Sequence, residues 1–202
     1  MSGLTQIDSK RLMLGKLRDG EWQRLAHSAN QASRSRVFID ESGGITVLDI
    51  RSRCRKLKHR EKKLDLIVID YLQLINPVQS RNSGTPESDL ATISRNLKEL
   101  AKELNVPIIV LSQLNRMSVT GNADKRPTLA HLRGSGAIEQ DADMVAFIHR
   151  EEAYDENTDQ KGTAEIIFAK NRSGEQGTAE LAWLAHLTLF ANLDLQTRSP
   201  IK

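Results

Sequence analysis

Cysteine is almost missing from this sequence, since Cys54 is the only one in 202 residues. A single cysteine excludes an internal disulfide and is typical of a protein that works in a reducing cytosol. Long apolar runs are missing too. No stretch approaches the ~20 residues of a membrane-spanning helix, and the first residues contain no signal-peptide core. These absences predict a cytoplasmic protein with no membrane segment.

Aromatic residues are scarce, at 4% of the chain, and the five histidines are scattered without the spacing of a zinc site. Apolar residues make up 39% and charged residues 27%, which is typical of a globular protein with a real core. The net charge of +3 is compatible with a polyanionic partner but is no evidence for one. We find neither an internal repeat nor a long linker, and we therefore expect residues 1–202 to form one domain.

Strands and helices alternate through the middle of the chain. The run Leu66-Ile67-Val68-Ile69 is short, β-branched and free of polar alternation, as expected of a strand buried on both faces of a parallel sheet. An amphipathic helix over 87–105 and a second apolar strand over 108–111 follow it. The last third has three strand-like segments with little helix between them, namely Met144–His149, Thr163–Ala169 and Thr178–Phe190. The pattern predicts an α/β fold with a mostly parallel sheet and an antiparallel or mixed C-terminal edge.

The N-terminal part is expected to form two polar helices, over 4–18 and 19–35. Asp19 is the expected N-cap of the second helix. The apolar face of that helix is expected to contain Trp22, Leu25, Ala26 and Ala29. A short strand is predicted over 37–39 and a basic helix over 46–63, whose cations we interpret as a solvated face rather than a nucleic-acid patch.

A carboxylate ends the first apolar strand. Asp70 follows Ile69, and the carboxyl edge of an open α/β sheet is where such folds bind ligands. One interpretation is a Walker B aspartate that holds Mg²⁺ for a nucleoside triphosphate. The alternative is an aspartate that caps the next turn, and the strand alone does not separate the two.

Polar groups also follow the second apolar strand. Gln113 lies at its carboxyl tip, where an amide can hydrogen-bond a γ-phosphate or an attacking water, although a plain loop amide is the alternative. Further on, Arg133 precedes Gly134-Ser135-Gly136, whose backbone N–H groups are open to a phosphate. A simple turn explains the two glycines equally well.

Two cations stand two residues apart at the end of a predicted strand. Lys170 and Arg172 would project to the same side of an extended chain. This geometry suits a phosphate clamp, including one that acts on a nucleotide of a neighbouring molecule. The alternative is an edge strand that its charges protect from pairing.

Four segments carry a resemblance to a known family: IDYLQLI, ISRNLKELAKELNVPIIVLSQLNR, KRPTLAHLRGSGAIEQDAD and AEIIFAKNRSGEQGTAEL. In order and spacing they closely resemble the bacterial replicative DNA helicases, the DnaB family, over most of residues 1–190. The resemblance implies a RecA-like core and a homo-hexameric motor that uses ATP and Mg²⁺ to unwind duplex DNA 5′ to 3′ along single-stranded DNA. Primase and a helicase loader are the further partners that it implies. A RecA-like recombinase fits less well, because the second segment matches the replicative helicases specifically.

The resemblance also implies roles for individual residues around ATP. Asp70 is similar to the Walker B aspartate and Gln113 to the glutamine that senses the γ-phosphate. Lys170 and Arg172 resemble the pair that reaches into the ATP site of the adjacent subunit, with Arg172 as the arginine finger.

A second group of residues resembles the DNA-binding loop of the family. Arg133, Gly134 and Gly136 correspond to a loop whose backbone and arginine grip DNA phosphates. Many family members have an acidic residue where this chain has Gly134. That difference removes a side chain from the expected grip but keeps its backbone N–H.

The phosphate cradle of such motors is missing from the sequence. No GxxxxGK[ST] motif is present, and the one Gly-Lys pair, Gly15-Lys16, is followed by Leu17. In the family, the P-loop and the catalytic glutamate lie just before the segment that resembles the start of this chain. We therefore expect a partial motor domain that binds neither ATP nor Mg²⁺ tightly and does not hydrolyse ATP alone. The alternative is a non-catalytic module that binds DNA or joins a helicase ring.

Overall fold

The computed structural model describes residues 1–77, 85–114, 125–132, 135–194 and 199–200. In this part of the chain the helices are α1 (Ser2–Thr5), α2 (Ser9–Met13), α3 (Glu21–Ser33), α4 (Val47–Glu61), α5 (Pro86–Leu104) and α6 (Ser135–Asp141). The strands are β1 (Ile67–Ile69), β2 (Ile108–Val110), β3 (Met144–His149), β4 (Thr163–Asn171), β5 (Gly177–Leu184), β6 (Leu189–Asp194) and β7 (Ser199–Pro200). Of the helices described, none is long and apolar enough to cross a membrane.

The strands form two sheets, and the residues form two compact units. One sheet pairs β1 with β2, and the other has the order β3-β4-β5-β6-β7. The first unit contains Met1–Asp40, Phe147–Ile167 and Gly177–Lys202, and the second contains Glu41–Ala146 and Phe168–Gln176.

The core of the second unit lies between its helices and the β1-β2 pair. The two strands are parallel, with Ile67 opposite Ile108, as the strand–helix–strand pattern predicts. Helix α5 contributes four buried side chains at helical spacing: Ile93, Leu97, Leu100 and Leu104. This apolar stripe, rather than helix propensity alone, stabilises the long helix.

Helix α4 begins at a capping box, which is a reciprocal pair of hydrogen bonds at a helix N-terminus. The Thr46 side chain accepts from the Asp49 N–H at 3.3 Å, and the Asp49 carboxylate accepts from the Thr46 N–H at 2.9 Å. These bonds satisfy donors that a helix start otherwise leaves unpaired. The predicted helix over 46–63 is thus confirmed, and it ends at Glu61.

The expectation that the first strand is buried on both faces is wrong. Val68 is 59% exposed, and Ile109, its partner in register, is 50% exposed. Leu66 and Leu111 lie two residues away on the same face and are exposed as well. The α4 and α5 core covers only the opposite face of β1 and β2, on which Ile67 is buried.

The first unit contains the antiparallel strands predicted at the C-terminal edge. Strands β5 and β6 are antiparallel, with Trp183 opposite Phe190 and their rings 4.8 Å apart. The single strand expected over 178–190 is instead two strands. A 3₁₀ turn at Ala185–Leu187 separates them, and Thr188 follows it in the left-handed region, which ends an extended run.

The N-terminal expectations are partly wrong. Two short helices replace the single helix expected over 4–18, whereas the helix expected over 19–35 is present as α3. Gln6, with a φ of 54°, lies between α1 and α2, and Gly15 and Gly20, with φ of 67° and 81°, lie between α2 and α3. Gly20, not Asp19, is the N-cap of α3. The expected apolar face of α3 is not buried, since Trp22 is 60% exposed. The helix instead buries Glu21, together with Ser28.

An ionic network explains why α3 buries a carboxylate. Glu21 pairs with Arg11 and Arg24, and it accepts a hydrogen bond from the Arg18 N–H at 2.7 Å. Buried carboxylates are tolerated when they are paired in this way.

The predicted strand over 37–39 is also wrong. These residues form no strand and their apolar side chains are exposed.

Candidate functional site

Asp70 and Gln113 lie at the same edge of the β1-β2 pair. Ile69 is paired with Val110, so the chain leaves both strands on one side of the sheet. The Leu111 N–H donates to the Ile69 carbonyl at 2.9 Å, which keeps the ends of β1 and β2 side by side. Both predicted site residues are exposed there, which leaves their polar atoms accessible to a ligand.

Gln73 connects the two sides of this edge. Its amide N–H donates to the Ser112 hydroxyl at 3.1 Å and to the Gln113 carbonyl at 3.4 Å. Its amide oxygen accepts from the Gln113 N–H at 3.4 Å. The backbone on both sides of Gln113 is therefore held by one side chain. We call Asp70, Gln73, Ser112 and Gln113 the strand-edge site.

The strand-edge site suits part of a nucleotide site. Mg²⁺ typically binds one or two carboxylates together with substrate phosphates. Asp70 supplies one exposed carboxylate, and among the residues that the structure describes no three His, Cys, Asp or Glu side chains group as metal ligands. Asp70 thus fits a metal that a nucleotide helps to hold. The sequence has no GxxxxGK[ST] loop to cradle that nucleotide.

Lys170 and Arg172 lie together at the carboxyl end of α6. The Lys170 ammonium donates to the Glu139 carbonyl, and the Arg172 guanidinium donates to the Gln140 carbonyl. The last carbonyls of a helix have no partner within the helix and carry partial negative charge. The two cations therefore satisfy the end of α6.

Asp143 joins this group directly after α6. Its carboxylate pairs with the Lys98 ammonium of α5, and it lies 3.3 Å from the Arg172 guanidinium. Its backbone carbonyl accepts from the Arg172 N–H at 2.9 Å. The hydrogen bond from Lys98, followed by the positive charges of Lys98, Arg172 and Lys170, lowers the pKa of Asp143 below its ordinary value of 3.8. We call Lys98, Asp143, Lys170 and Arg172 the Asp143 cluster.

The predicted DNA loop falls largely outside the described residues. Arg133 and Gly134 are not among them, so their predicted roles stay predictions. Gly136 is described in α6 and is exposed. Among the residues that the structure describes, none beyond its chain neighbours and its own helix turn has an atom within 4 Å of where its Cβ would be.

Comparison with known proteins decides the family. The model of the DnaB-like helicase C-terminal domain matches residues 1–192. The replicative DNA helicase DnaB of Buchnera aphidicola subsp. Schizaphis graminum is 44% identical over 193 residues, which are 95% of this chain. The chain belongs to the DnaB helicase family. DnaB of Geobacillus stearothermophilus is also 44% identical, over 188 residues and 93% of the chain.

Solved structures agree with this assignment and confirm the RecA-like fold. One is an ATPase domain, with a TM-score of 0.89 and 35% identity, covering 96% of this chain and 68% of that domain. Another is a DnaB-like replicative helicase studied with its interactions with primase. It has the same TM-score and identity, and the match covers 96% of this chain and 46% of that helicase chain. The chain spans 41% of the length of the two curated DnaB relatives.

Sequence reasoning missed three residues that organise the two sites of this DnaB-family chain. Gln73 is an unremarked polar residue inside the apolar run that follows Asp70, and Lys98 is one cation on the polar side of α5. Asp143 lies in an acidic stretch between a short helix and a strand. Their partners are 39, 45 and 29 residues away in sequence, so no local pattern could have identified them.

Proposed function

We propose that this chain supplies the C-terminal part of the motor of a hexameric replicative helicase, which hydrolyses ATP and unwinds DNA 5′ to 3′ in the bacterial cytoplasm. The shared exit of β1 and β2 is the observation that carries the proposal, because it brings a carboxylate and an amide to one sheet edge. Ligands of open α/β sheets bind at this edge.

Each group of the strand-edge site has a task in this proposal. Asp70 orients Mg²⁺, which when bound neutralises charge on the triphosphate. The Gln113 side-chain amide contacts the terminal phosphate. Because the Gln73 side chain holds the backbone of Gln113, a shift of Gln113 on a change at the phosphate is passed to the residues that follow both β1 and β2.

The remaining residues act on partners. Lys170 and Arg172 reach the ATP of an adjacent subunit, with Arg172 as the arginine finger. Arg133, Gly134 and Gly136 contact phosphates of single-stranded DNA. Primase and a loader are proposed partners by resemblance, and a DnaB-like relative is described with primase.

The first experiment tests the chain alone. ATP hydrolysis is measured with and without single-stranded DNA, with Asp70→Ala as control. We expect no turnover above the control, because the P-loop normally provides most of the contacts to the phosphates. Robust turnover that depends on Asp70 would contradict the proposed incompetence of the isolated chain.

The second experiment supplies the missing cradle. The part of Geobacillus stearothermophilus DnaB that precedes its matched segment is joined to residue 1, giving a chimera. We expect DNA-stimulated ATPase that Asp70→Asn or Gln113→Ala lowers by about 10²–10⁴-fold. Asp65→Asn is the matched control, because the ion pair described for Asp65 joins it to exposed Lys63 at 3.0 Å. An active chimera that tolerates Asp70→Asn would refute the role of Asp70.

A second candidate function is a non-catalytic module that binds DNA or joins the ring of an intact helicase. Two cations placed together at the carboxyl end of α6, in a chain without a P-loop motif, favour it. Titration of a fluorescent oligonucleotide should show weak binding that falls steeply with salt. Co-purification with an intact DnaB tests ring joining. Loss of both signals at low salt would remove this alternative.

A further inference from the structure

The proposed roles of Lys170 and Arg172 do not explain why the Asp143 carboxylate lies beside Arg172. If Lys170 and Arg172 act on a neighbouring subunit, then the contacts within this subunit set where the two cations lie before they reach it. Three residues supply carbonyl or carboxylate oxygens to the pair: Glu139, Gln140 and Asp143. Only Asp143 contacts both the backbone and the side chain of Arg172 among these contacts.

The hydrogen bonds that hold Lys170 and Arg172 differ in whether they can remain when the cations reach a phosphate. The bonds from Lys170 and Arg172 to the α6 carbonyls use the cationic groups themselves, so reaching a phosphate gives them up. The 2.9 Å bond from the Arg172 N–H to the Asp143 carbonyl does not use the cationic group. It keeps the base of the side chain fixed while the guanidinium turns, and the carboxylate limits where it turns.

Stability is a poor explanation for this carboxylate. The Asp143 side chain is 63% exposed, and the ion pairs of such an exposed carboxylate stabilise a fold only weakly. Positioning has a larger effect on rate, since a misplacement of ~1 Å at a reacting group can cost about 10²-fold. The geometry therefore favours a role in orientation over one in folding.

Lys98 anchors the arrangement to the rest of the second unit. It extends from α5, the helix that leads directly into β2 and on to Gln113. Arg172 is thus connected, through Asp143, to the helix that precedes the strand-edge site. Without Lys98, the Asp143 carboxylate would have only Arg172 at hydrogen-bonding distance among the side-chain contacts described for it.

We propose that Asp143 is a positioning residue for Arg172, which orients the guanidinium for action on a phosphate-bearing nucleotide in an adjacent subunit. The proposal rests on the proposed function. It assigns Asp143 no contact with the nucleotide, so Asp143 acts only through Arg172.

The test is a double-mutant cycle in the chimera described above. Arg172→Ala should lower kcat of the DNA-stimulated ATPase by about 10³-fold or more. Asp143→Asn should lower kcat by roughly 10- to 100-fold and change the KM for ATP by less than about twofold. The double variant should be no slower than Arg172→Ala alone, because a positioning residue has nothing left to position. Asp143→Glu, which keeps the charge, should restore part of the rate, and Asp65→Asn should have no effect.

The outcomes separate this proposal from the function on which it rests. If Arg172→Ala leaves the ATPase unchanged, then the proposed finger itself is wrong. If Arg172→Ala is slow but Asp143→Asn resembles Asp65→Asn, then only the positioning role is wrong. Multiplied effects in the double variant, or a faster Asp143→Asn protein, would also overturn it.

A second measurement uses the 202-residue chain and needs no ATPase. In NMR spectra with ¹⁵N-labelled arginine, the Arg172 guanidinium should be restrained in the unmodified chain and in Asp65→Asn. Asp143→Asn should release it. Equal mobility in all three proteins would contradict the proposal even if the chimera failed to assemble.

Discussion

Shortening the side chain of Leu100 to alanine is the most direct test of the core that holds both sites of the second unit. Leu100 is 0% exposed and lies in the middle of the buried stripe of α5. Its neighbours in this cluster include Ile67 of β1 and Val106 just before β2. Leu100→Ala therefore opens a cavity beneath the strands that carry the strand-edge site.

The size of the effect follows from full burial. Replacing a buried leucine with alanine costs the transfer free energy of the lost atoms plus a cavity term, together about 3–5 kcal/mol at a site that cannot collapse. That is a large share of the ~5–15 kcal/mol that stabilises a typical domain. Leu100→Met, which nearly conserves volume, should cost less than about 1.5 kcal/mol.

Urea unfolding followed by circular dichroism measures these differences. Leu48→Ala is the matched control, because Leu48 lies in α4 but is 54% exposed. Its free energy of unfolding should stay within about 0.5 kcal/mol of the unmodified protein. If Leu100→Ala costs no more than Leu48→Ala, then the core described here does not stabilise the second unit.

Three further predictions concern the helix cap Thr46, the buried carboxylate Glu21 and Gln73, which holds the backbone of Gln113. Thr46→Ala should lower the free energy of unfolding by about 1 kcal/mol and Thr46→Ser by less, since serine also caps; equal losses in urea unfolding would argue against the capping box. The hydrogen bond from the Arg18 N–H, with the charges of Arg11 and Arg24, lowers the pKa of Glu21 below its ordinary value of 4.5. The stabilisation from Glu21 is therefore present above that value and is lost as pH falls through the lower pKa of the folded state. Glu21→Gln should weaken this fall in the free energy of unfolding at acid pH. An unchanged pH dependence would contradict the ionic network. In the chimera, Gln73→Leu should lower kcat by about tenfold with little change in the KM for ATP, whereas an unchanged kcat would show that Gln113 needs no brace.

The second unit was largely predictable because its signals are local and periodic. The stripe of α5 and the apolar run of β2 predict their elements to within a residue or two of Pro86–Leu104 and Ile108–Val110. The register of parallel strands then brings Asp70 and Gln113 together without any knowledge of side-chain packing. What the pattern could not reveal is coverage, since an unbroken apolar strand looks the same whether one face or two are buried.

The first unit was less predictable because long-range pairing overrides local preference there. The apolar residues of α3 predict a buried face, yet three arginine contacts bury Glu21 instead. The apolar triplet over 37–39 favours a strand, but a strand needs a partner that sequence alone does not name. The same reason explains why Asp143 escaped notice, since its meaning comes from Lys98 and Arg172.

The bare face of the parallel pair has a practical consequence for anyone handling this protein. Leu66, Val68, Ile109 and Leu111 form an exposed apolar strip on one face of the β1-β2 pair, and such strips promote association in water. We therefore expect the purified protein to associate as its concentration rises. A dye such as ANS should fluoresce on the native fold before any denaturant is added.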